Sequence, residues 1–177
     1  DLGLGVQFRD VNGDGAPDCF VCNDNGMPDR FWINNGKGGF RALPTLAIRH
    51  VSRSSMGLDF ADIDRDGQDD FIVVDMLARE HGKRMTQLGK TYPDFAANLR
   101  IQERPIFNRN SLFLGRRDGS FVETALMAGV AATDWSWCPV FLDVDLDGYE
   151  DLLITNGFDQ DIMDQDSLDQ IGRRKWP

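Results

Sequence analysis

The sequence has no long apolar run, a shortage of basic residues, and little histidine or cysteine. No stretch approaches the roughly 18 to 20 apolar residues that a membrane-spanning helix needs, so no membrane span is predicted. The 19 Lys and Arg residues are outnumbered by 29 Asp and Glu residues, which gives a formal net charge of -10. Surfaces that bind nucleic acid are basic, so this balance argues against a nucleic-acid partner.

Cysteine and histidine offer little material for catalysis. The three cysteines are an odd number, so a disulfide framework cannot use all of them. Cys19 and Cys22 have C-x-x-C spacing but lie in an apolar, strand-like run, and we interpret them as small buried residues rather than as redox or zinc ligands. His50 and His81 are far apart, and neither has a Ser, Cys or second His at catalytic spacing. No enzymatic activity is predicted for this chain.

What the sequence does contain is a repeat. With 41% hydrophobic and 10% aromatic residues it has material for a folded core. Within it the motif D-x-[DN]-x-D-G-x-x-D occurs three times, at residues 10–18, 62–70 and 143–151. Each copy follows an apolar segment with an aromatic residue near its end and precedes another apolar segment. The repeated unit is therefore strand, acidic loop, strand.

A second element recurs in register with the acidic loops. Residues 30–40 and 111–121 both have the pattern of a β-hairpin, with Gly38 and Gly119 where the turn needs a positive φ. The final Phe of each hairpin precedes the next acidic loop by 22 residues in both copies. This equal spacing fixes the register of the repeat.

The second repeat carries 29 additional residues, at about 77–106. This insertion is rich in good helix formers, and we expect two short helices interrupted near Tyr92 and Pro93. Its basic residues are most simply a solvated helical face. A docking surface for a partner is the alternative, because long insertions on repeat scaffolds are frequent binding sites.

The acidic motif has the chemistry of a calcium loop. Side chains at positions 1, 3, 5 and 9 point inward in a tightly turned loop, Gly at position 6 permits the bend, and position 7 adds a backbone carbonyl. Calcium takes 6 to 8 oxygen ligands, whereas magnesium demands a near-octahedral shell and keeps its waters, so we predict up to three calcium ions. The predicted ligands are Asp10, Asn12, Asp14, Ala16, Asp18, Asp62, Asp64, Asp66, Gln68, Asp70, Asp143, Asp145, Asp147, Tyr149 and Asp151.

Two other interpretations of the motif are weaker. An EF-hand or dockerin-type loop needs a carboxylate at position 12, which here is Val21, Val73 or Ile154. An Asp-Gly turn that binds nothing would have to repeat the same ligand spacing three times by accident, with carboxylates that repel one another when unpaired.

These motifs carry a family resemblance. The succession strand, D-x-[DN]-x-D-G-x-x-D, strand and L-[FW]-x-x-x-x-x-G-x-F hairpin resembles the FG-GAP/VCBS repeat, the blade unit of integrin-α-like β-propellers. The segments at 55–62, 74–77, 132–137 and 154–157 resemble more closely the bacterial cartilage-acidic-protein-like (ASPIC/UnbV-associated) branch. The resemblance implies an exported propeller of about seven blades, with calcium in the loop that joins the first two strands of each blade.

The fold class expected from the resemblance is all-β, with blades of four antiparallel strands and a short helical insertion. The chain is expected to be a fragment of about two and a half blades. The expected divisions are a β-propeller segment at 1–158, made of a blade at 2–48, a blade at 51–130 with its insertion at 77–106 and a half blade at 133–158, followed at 159–177 by an acidic linker or the start of the next element.

The function expected is that of a calcium-binding, non-catalytic interaction or adhesion scaffold outside the cytoplasm, whether secreted, periplasmic or on the cell surface. Its expected partners are a protein or glycan ligand and the remaining blades of the same propeller. The alternative is an accessory propeller of a secreted polysaccharide- or lipid-acting hydrolase or lyase whose catalytic residues are not in this chain. Trp32, Trp135 and Trp137 fit packing between blades, with a carbohydrate-stacking platform as their alternative.

Overall fold

The computed structural model describes residues 2–88, 100–158 and 164–173. Its architecture is mostly β. Three antiparallel sheets each begin with a strand, an acidic loop and a second strand, and a further sheet has three strands. The all-β prediction with a small helical part is confirmed. The strands are β1 Gly3–Arg9, β2 Asp18–Asn23, β3 Arg30–Asn34, β4 Phe40–Ala42, β5 Val51–Ser52, β6 Gly57–Ala61, β7 Asp70–Val74, β8 Arg100–Ile101, β9 Arg104–Phe107, β10 Ser111–Gly115, β11 Phe121–Glu123, β12 Ser136–Leu142 and β13 Asp151–Asn156, and the helices are α1 His81–Leu88 and α2 Gln165–Arg173.

The first sheet is a four-stranded meander in the order β1-β2-β3-β4. In β2 the side chains alternate, with Phe20 and Cys22 buried and Cys19 half-buried on the opposite face. The hairpin predicted at 30–40 is present as β3 and β4, and Gly38 has the positive φ its turn requires, 84°.

The second sheet, in the order β6-β7-β10-β11, lies between two neighbours. All five residues of β7 are buried, which requires cover on both faces of the sheet. Phe71 and Val73 belong to the core shared with the first sheet, while Ile72 and Val74 belong to a second core against which β12 and β13 pack. Because alternate side chains of β7 enter two different cores, this one strand packs against the repeat units on both of its sides.

The initial strands β1, β6 and β12 are neighbours, and their backbones approach closely at Gly57. A side chain there would collide with the carbonyl oxygen of Trp137 and with Pro139. The third unit is the two-stranded sheet β12-β13. The two four-stranded sheets and this pair, packed side by side with the small β5-β9-β8 sheet beside them, form a mostly β, propeller-like arrangement.

The insertion differs from its prediction. Helix α1 agrees with the first expected helix, and residues 89–99 lie outside the described part of the chain. Residues 100–107 form the hairpin β8-β9 instead of a helix, so the helical prediction is wrong there. The reason is tertiary: β9 pairs in parallel with β5 and buries Ile106, which outweighs weak helix propensity, while Gln102 and Glu103 turn with φ of 52° and 66°.

After β13 the described chain resumes in α2, within the segment expected to be a linker or a new element. Asp166 in its first turn and Arg173 in its last complement the helix dipole. Neither helix in the described ranges is long and apolar enough to cross a membrane.

Candidate metal centres

The three acidic loops share one backbone conformation, which their sequence pattern explains in part. Each loop joins the first two strands of its sheet, and its ninth residue is the first residue of the second strand. Two positions of each loop have a positive φ. Position 6 is the predicted glycine in every loop, namely Gly15, Gly67 and Gly148. Position 4 is a glycine only in the first loop, and its residues are Gly13, Arg65 and Leu146.

This conformation directs backbone N–H groups onto the first aspartate of each loop. In the second loop the N–H groups of Asp66 and Gly67 donate to the two carboxylate oxygens of Asp62, each at 3.0 Å. The first and third loops repeat both hydrogen bonds on Asp10 and Asp143, at distances between 2.8 and 3.1 Å. The position-1 carboxylate is therefore held in place by its own loop.

Two of the loops bring three carboxylates together. One ligand oxygen from each of Asp62, Asp64 and Asp70 lies within 4.8 Å of the others, and Asp143, Asp145 and Asp151 form the corresponding group. Two oxygens that bind one calcium ion at 2.3–2.6 Å are at most about 5 Å apart, so the spacing fits a single ion. Without a cation, three carboxylates at this distance repel one another.

The first loop has an amide where the others have a third carboxylate. Asn12 accepts a hydrogen bond from the Asp14 N–H at 3.0 Å, and its Nδ2 donates to the Asp14 carboxylate at 3.1 Å. Its amide oxygen can serve as a ligand like a carboxylate oxygen, but with one negative charge fewer. The first loop therefore offers the predicted ligand residues with one negative charge fewer than each of the other two loops.

Positions 5 and 7 of the loops stay predictions. The position-5 aspartates accept hydrogen bonds from the backbone N–H of position 7, as Asp66 does from Gln68 at 2.8 Å, and they lie outside the two three-carboxylate groups. The backbone carbonyl groups of position 7, in Ala16, Gln68 and Tyr149, likewise stay predicted ligands.

In the first two loops, position 9 connects the loop to the third strand of its sheet, a contact that sequence reasoning missed. Asp18 accepts from the N–H groups of Val11 and Asn34, and Asp70 accepts from those of Ile63 and Gly115. Burial raises the pKa of Asp70 to about 6 against the opposing effect of these hydrogen bonds, and it raises the pKa of Asp18 as well. Asp151 accepts from Val144 and is exposed.

Neighbouring loops also contact one another. Arg9, just before the first loop, donates two hydrogen bonds to Asp69 in the second loop, at 2.8 and 2.7 Å. The Arg65 guanidinium of the second loop lies 4.2 Å from the ring centre of Tyr149 in the third and 3.9 Å from Glu150. The three loops therefore lie along one edge of the molecule.

Two buried polar groups outside the loops were also missed. His50 Nε2 is 2.8 Å from the Ser111 hydroxyl, although the residues are 61 positions apart. Burial lowers the pKa of His50 to about 4, so its ring is neutral. Asp75 is fully buried and accepts hydrogen bonds from the Ser52 hydroxyl and from three backbone N–H groups, which makes it a support for the 52–54 turn.

Cys19, Cys22 and Trp135 behave as packing residues. Burial raises the pKa of Cys19 and Cys22, which keeps both as thiols, and their opposite faces on β2 prevent joint chelation. Trp135 packs against the second core and stacks on Phe158 at 4.3 Å between ring centres. Trp137 is 42% exposed, so the carbohydrate-stacking alternative stays open for it.

Comparison with known proteins identifies part of the chain. No curated protein matches it. Residues 10–73 match the family model of the FG-GAP-like repeat. The matched segment begins at the first acidic loop and ends in β7, so it contains the first two loops and the strands between them. The chain therefore contains an FG-GAP-like repeat at residues 10–73.

Proposed function

We propose that this chain is a calcium-binding segment of a β-propeller that serves as a non-catalytic interaction or adhesion scaffold outside the cytoplasm. The observation that carries the proposal is the pair of matching groups, Asp62, Asp64 and Asp70 in one loop and Asp143, Asp145 and Asp151 in another, each with oxygens within 4.8 Å. The FG-GAP-like repeat at 10–73 supports the propeller assignment.

The residues present fit calcium better than other cations. All donors are hard oxygens, and His and Cys, which zinc and copper prefer, are missing from both groups. The loops contribute several carboxylates without a rigid octahedral frame, which favours calcium over magnesium. A bound ion would neutralise the carboxylates of positions 1, 3 and 9 and hold the first two strands of the sheet in register, so that ion binding and folding are linked.

The outer faces of the sheets that contain β1 and β12 support the propeller assignment. Leu4, Val6 and Phe8 on β1 are 50%, 60% and 60% exposed, and Leu142 and Leu153 on the opposite side are 37% and 52% exposed. Exposed apolar faces of this kind are expected to pack against a further apolar surface. In a propeller this surface is the neighbouring blade.

The location and the partner complete the proposal. Extracellular modules need calcium affinities of only about 10⁻⁴ to 10⁻³ M, which fits small, partly exposed sites of this kind. We propose a protein or glycan ligand, held on a scaffold whose loops are fixed by calcium.

Calorimetry with calcium after EDTA treatment and dialysis tests the central claim. We expect saturable binding, and a melting temperature that rises with calcium, because a ligand at 100 times its Kd stabilises by about 2.7 kcal/mol per site. Asp64→Ala and Asp145→Ala should each remove one ion. Glu80→Gln, which removes an exposed carboxylate outside the loops, should leave the stoichiometry unchanged. Absence of both calcium heat and a thermal shift in a folded protein would refute the proposal.

A further inference from the structure

The three repeat units have a phenylalanine at one equivalent position, and its burial differs between them. Two residues before the acidic loop the units have Phe8, Phe60 and Phe141. Phe60 is buried in the core shared with the first sheet, and Phe141 packs against the second core, so each faces the unit that precedes it. Phe8 is exposed, because no unit among the described residues precedes its own.

The other side of the three units shows the converse. The third residues of β2, β7 and β13 are Phe20, Ile72 and Leu153. Phe20 and Ile72 are buried, because the unit that follows each of them covers it. Leu153 is exposed, and so is Val140, which lies directly opposite it on β12. No unit in the described part of the chain covers this side of the third unit.

This comparison defines two exposed apolar faces. The front face consists of Phe8 and Val6, which lie on one side of β1. The back face consists of Leu153, Val140 and Leu142 in the third unit. Both contacts inside the chain, between the first and second units and between the second and third, place the back face of one unit on the front face of the next. The back face of one molecule therefore matches the front face of another copy.

The edge formed by the acidic loops distinguishes a second copy from other neighbours. Arg9 of the first unit pairs with Asp69 of the second. Arg65 of the second unit lies 3.9 Å from Glu150 of the third. In both contacts a basic residue meets an acidic residue at loop position 8 of the next unit. The equivalent places at the back and front faces are uncharged, and their residues are Leu142, Leu146 and Pro17.

The uncharged edge of the back face disfavours a neighbour with an acidic residue at loop position 8, because that carboxylate would meet no basic residue there. The first unit of a second copy has Pro17 at this place and needs no basic partner. The charges along the loops thus agree with the apolar faces in matching the third unit to the first.

We propose that a second copy of this chain covers these faces, with the back face of one molecule on the front face of the other. The inference rests on the proposed propeller assignment and names the molecule that supplies the neighbouring unit. The contact is heterologous, because the two faces are different surfaces. Removal of exposed apolar side chains from water drives the association.

The molar mass of the whole chain in calcium, measured by light scattering during gel filtration, tests the proposal. At about 100 μM, where micromolar contacts are populated, we expect wild type to have the mass of two or more chains of 19.9 kDa. Phe8→Glu and Leu153→Glu should each weaken association by about a hundredfold or more and run as monomers, because each places an unpaired charge in the contact. Leu126→Glu, at an exposed apolar residue outside both faces, should associate as wild type does.

An equimolar mixture of Phe8→Glu and Leu153→Glu tests the head-to-tail arrangement. Each variant retains the face that the other has lost, so the mixture should form a 1:1 dimer that neither variant forms alone. A symmetric contact between two front faces or two back faces would respond to only one of the substitutions. If circular dichroism shows that either variant is unfolded, Val6→Glu or Val140→Glu replaces it on the same face.

The proposal is overturned if folded wild-type protein is monomeric, if either folded variant alone associates like wild type, or if the mixture stays monomeric. Calcium calorimetry on the same samples separates this inference from the proposed function. A monomer that binds calcium overturns the contact between copies alone, whereas an associating protein that binds no calcium refutes the metal sites alone.

Discussion

The carboxylate of Asp59 accepts a hydrogen bond of 2.7 Å from the backbone N–H of Phe141, a residue 82 positions further along the chain. Its other oxygen accepts from Gln7 Nε2 at 2.9 Å. Asp59 lies on β6, Gln7 on β1 and Phe141 on β12. One side chain of the middle unit therefore joins the initial strands of all three repeat units.

Replacement of Asp59 by alanine should destabilise the protein by about 2–4 kcal/mol, because two hydrogen bonds to a charged group are lost and the N–H of Phe141 is left without its acceptor. Gln7→Ala removes one of the two hydrogen bonds and should have the smaller effect, about 1 kcal/mol. Urea unfolding of both variants at one calcium concentration gives the comparison. Equal effects of the two variants would show that the bond to Phe141 contributes little.

Gly57→Ala should destabilise the protein by about 1–3 kcal/mol, since the added methyl group collides with the backbone of β12 and one of the two strands must shift. Gly5→Ala is the matched control, because a Cβ there would meet its nearest atoms at 3.5–3.7 Å, an ordinary contact distance. Thermal unfolding measures both. A Gly57→Ala variant as stable as wild type would mean that the initial strands are not held this closely.

Asp70→Ala, measured in EDTA, should lower the free energy of unfolding by about 2–3 kcal/mol, because it leaves the buried N–H of Gly115 and the half-buried N–H of Ile63 without an acceptor. Asp151→Ala removes the corresponding residue from the third loop, where it is exposed, and should cost less than about 1 kcal/mol. In calcium both variants should lose one ion. A similar loss of stability for both variants in EDTA would contradict this role of Asp70.

Asp29 should make stability depend on pH. Burial raises its pKa to about 7, against the opposing hydrogen bonds from Asn23 and Ser55, whereas an unfolded aspartate titrates near 3.9. The folded state keeps this proton between about pH 4 and 7 when the unfolded state has lost it. Its contribution to stability is therefore full below about pH 4 and is lost as the pH rises through about 7.

The buried His50 has the opposite effect, because its lowered pKa makes stability rise between about pH 4 and 6.5. Wild type and Asp29→Asn both contain His50, so the difference between their free energies of unfolding does not include this contribution. We predict that the stability of Asp29→Asn relative to wild type increases by about 2–4 kcal/mol from pH 4 to 7.5. Urea unfolding at four pH values measures it, and parallel profiles for the two proteins would be the contrary result.

Much of the fold could be predicted because its signals are local. The acidic motif marks each strand–loop–strand unit, and glycines such as Gly38 and Gly119 mark the hairpins, with φ of 84° and 76°. The carboxylates of positions 1, 3 and 9 could be predicted as a group because they belong to one loop.

The remaining features depend on partners that are distant in sequence. The helix propensity of residues 100–107 gives no sign that β9 will pair with Val51 and Ser52. The hydrogen bond that the Gly115 N–H donates to Asp70 and the pairing of His50 with Ser111 join residues 45 and 61 positions apart. Arg65 adopts φ of 61° although it is not a glycine, in a loop that contacts Tyr149 of another repeat unit.

The insertion also has a consequence for the order of folding. In the first sheet 6 residues separate β2 from β3, whereas 36 residues separate β7 from β10 in the second. Each doubling of a loop raises the entropic cost of its closure by about 0.6 kcal/mol, so the longer connection costs more to close, although α1 and the β8-β9 hairpin shorten its irregular part. The first meander can form by successive local hairpins, and the outer half of the second sheet must wait for a slower, non-local search. The middle unit, whose β7 supports both cores, is thus expected to be completed after its first neighbour.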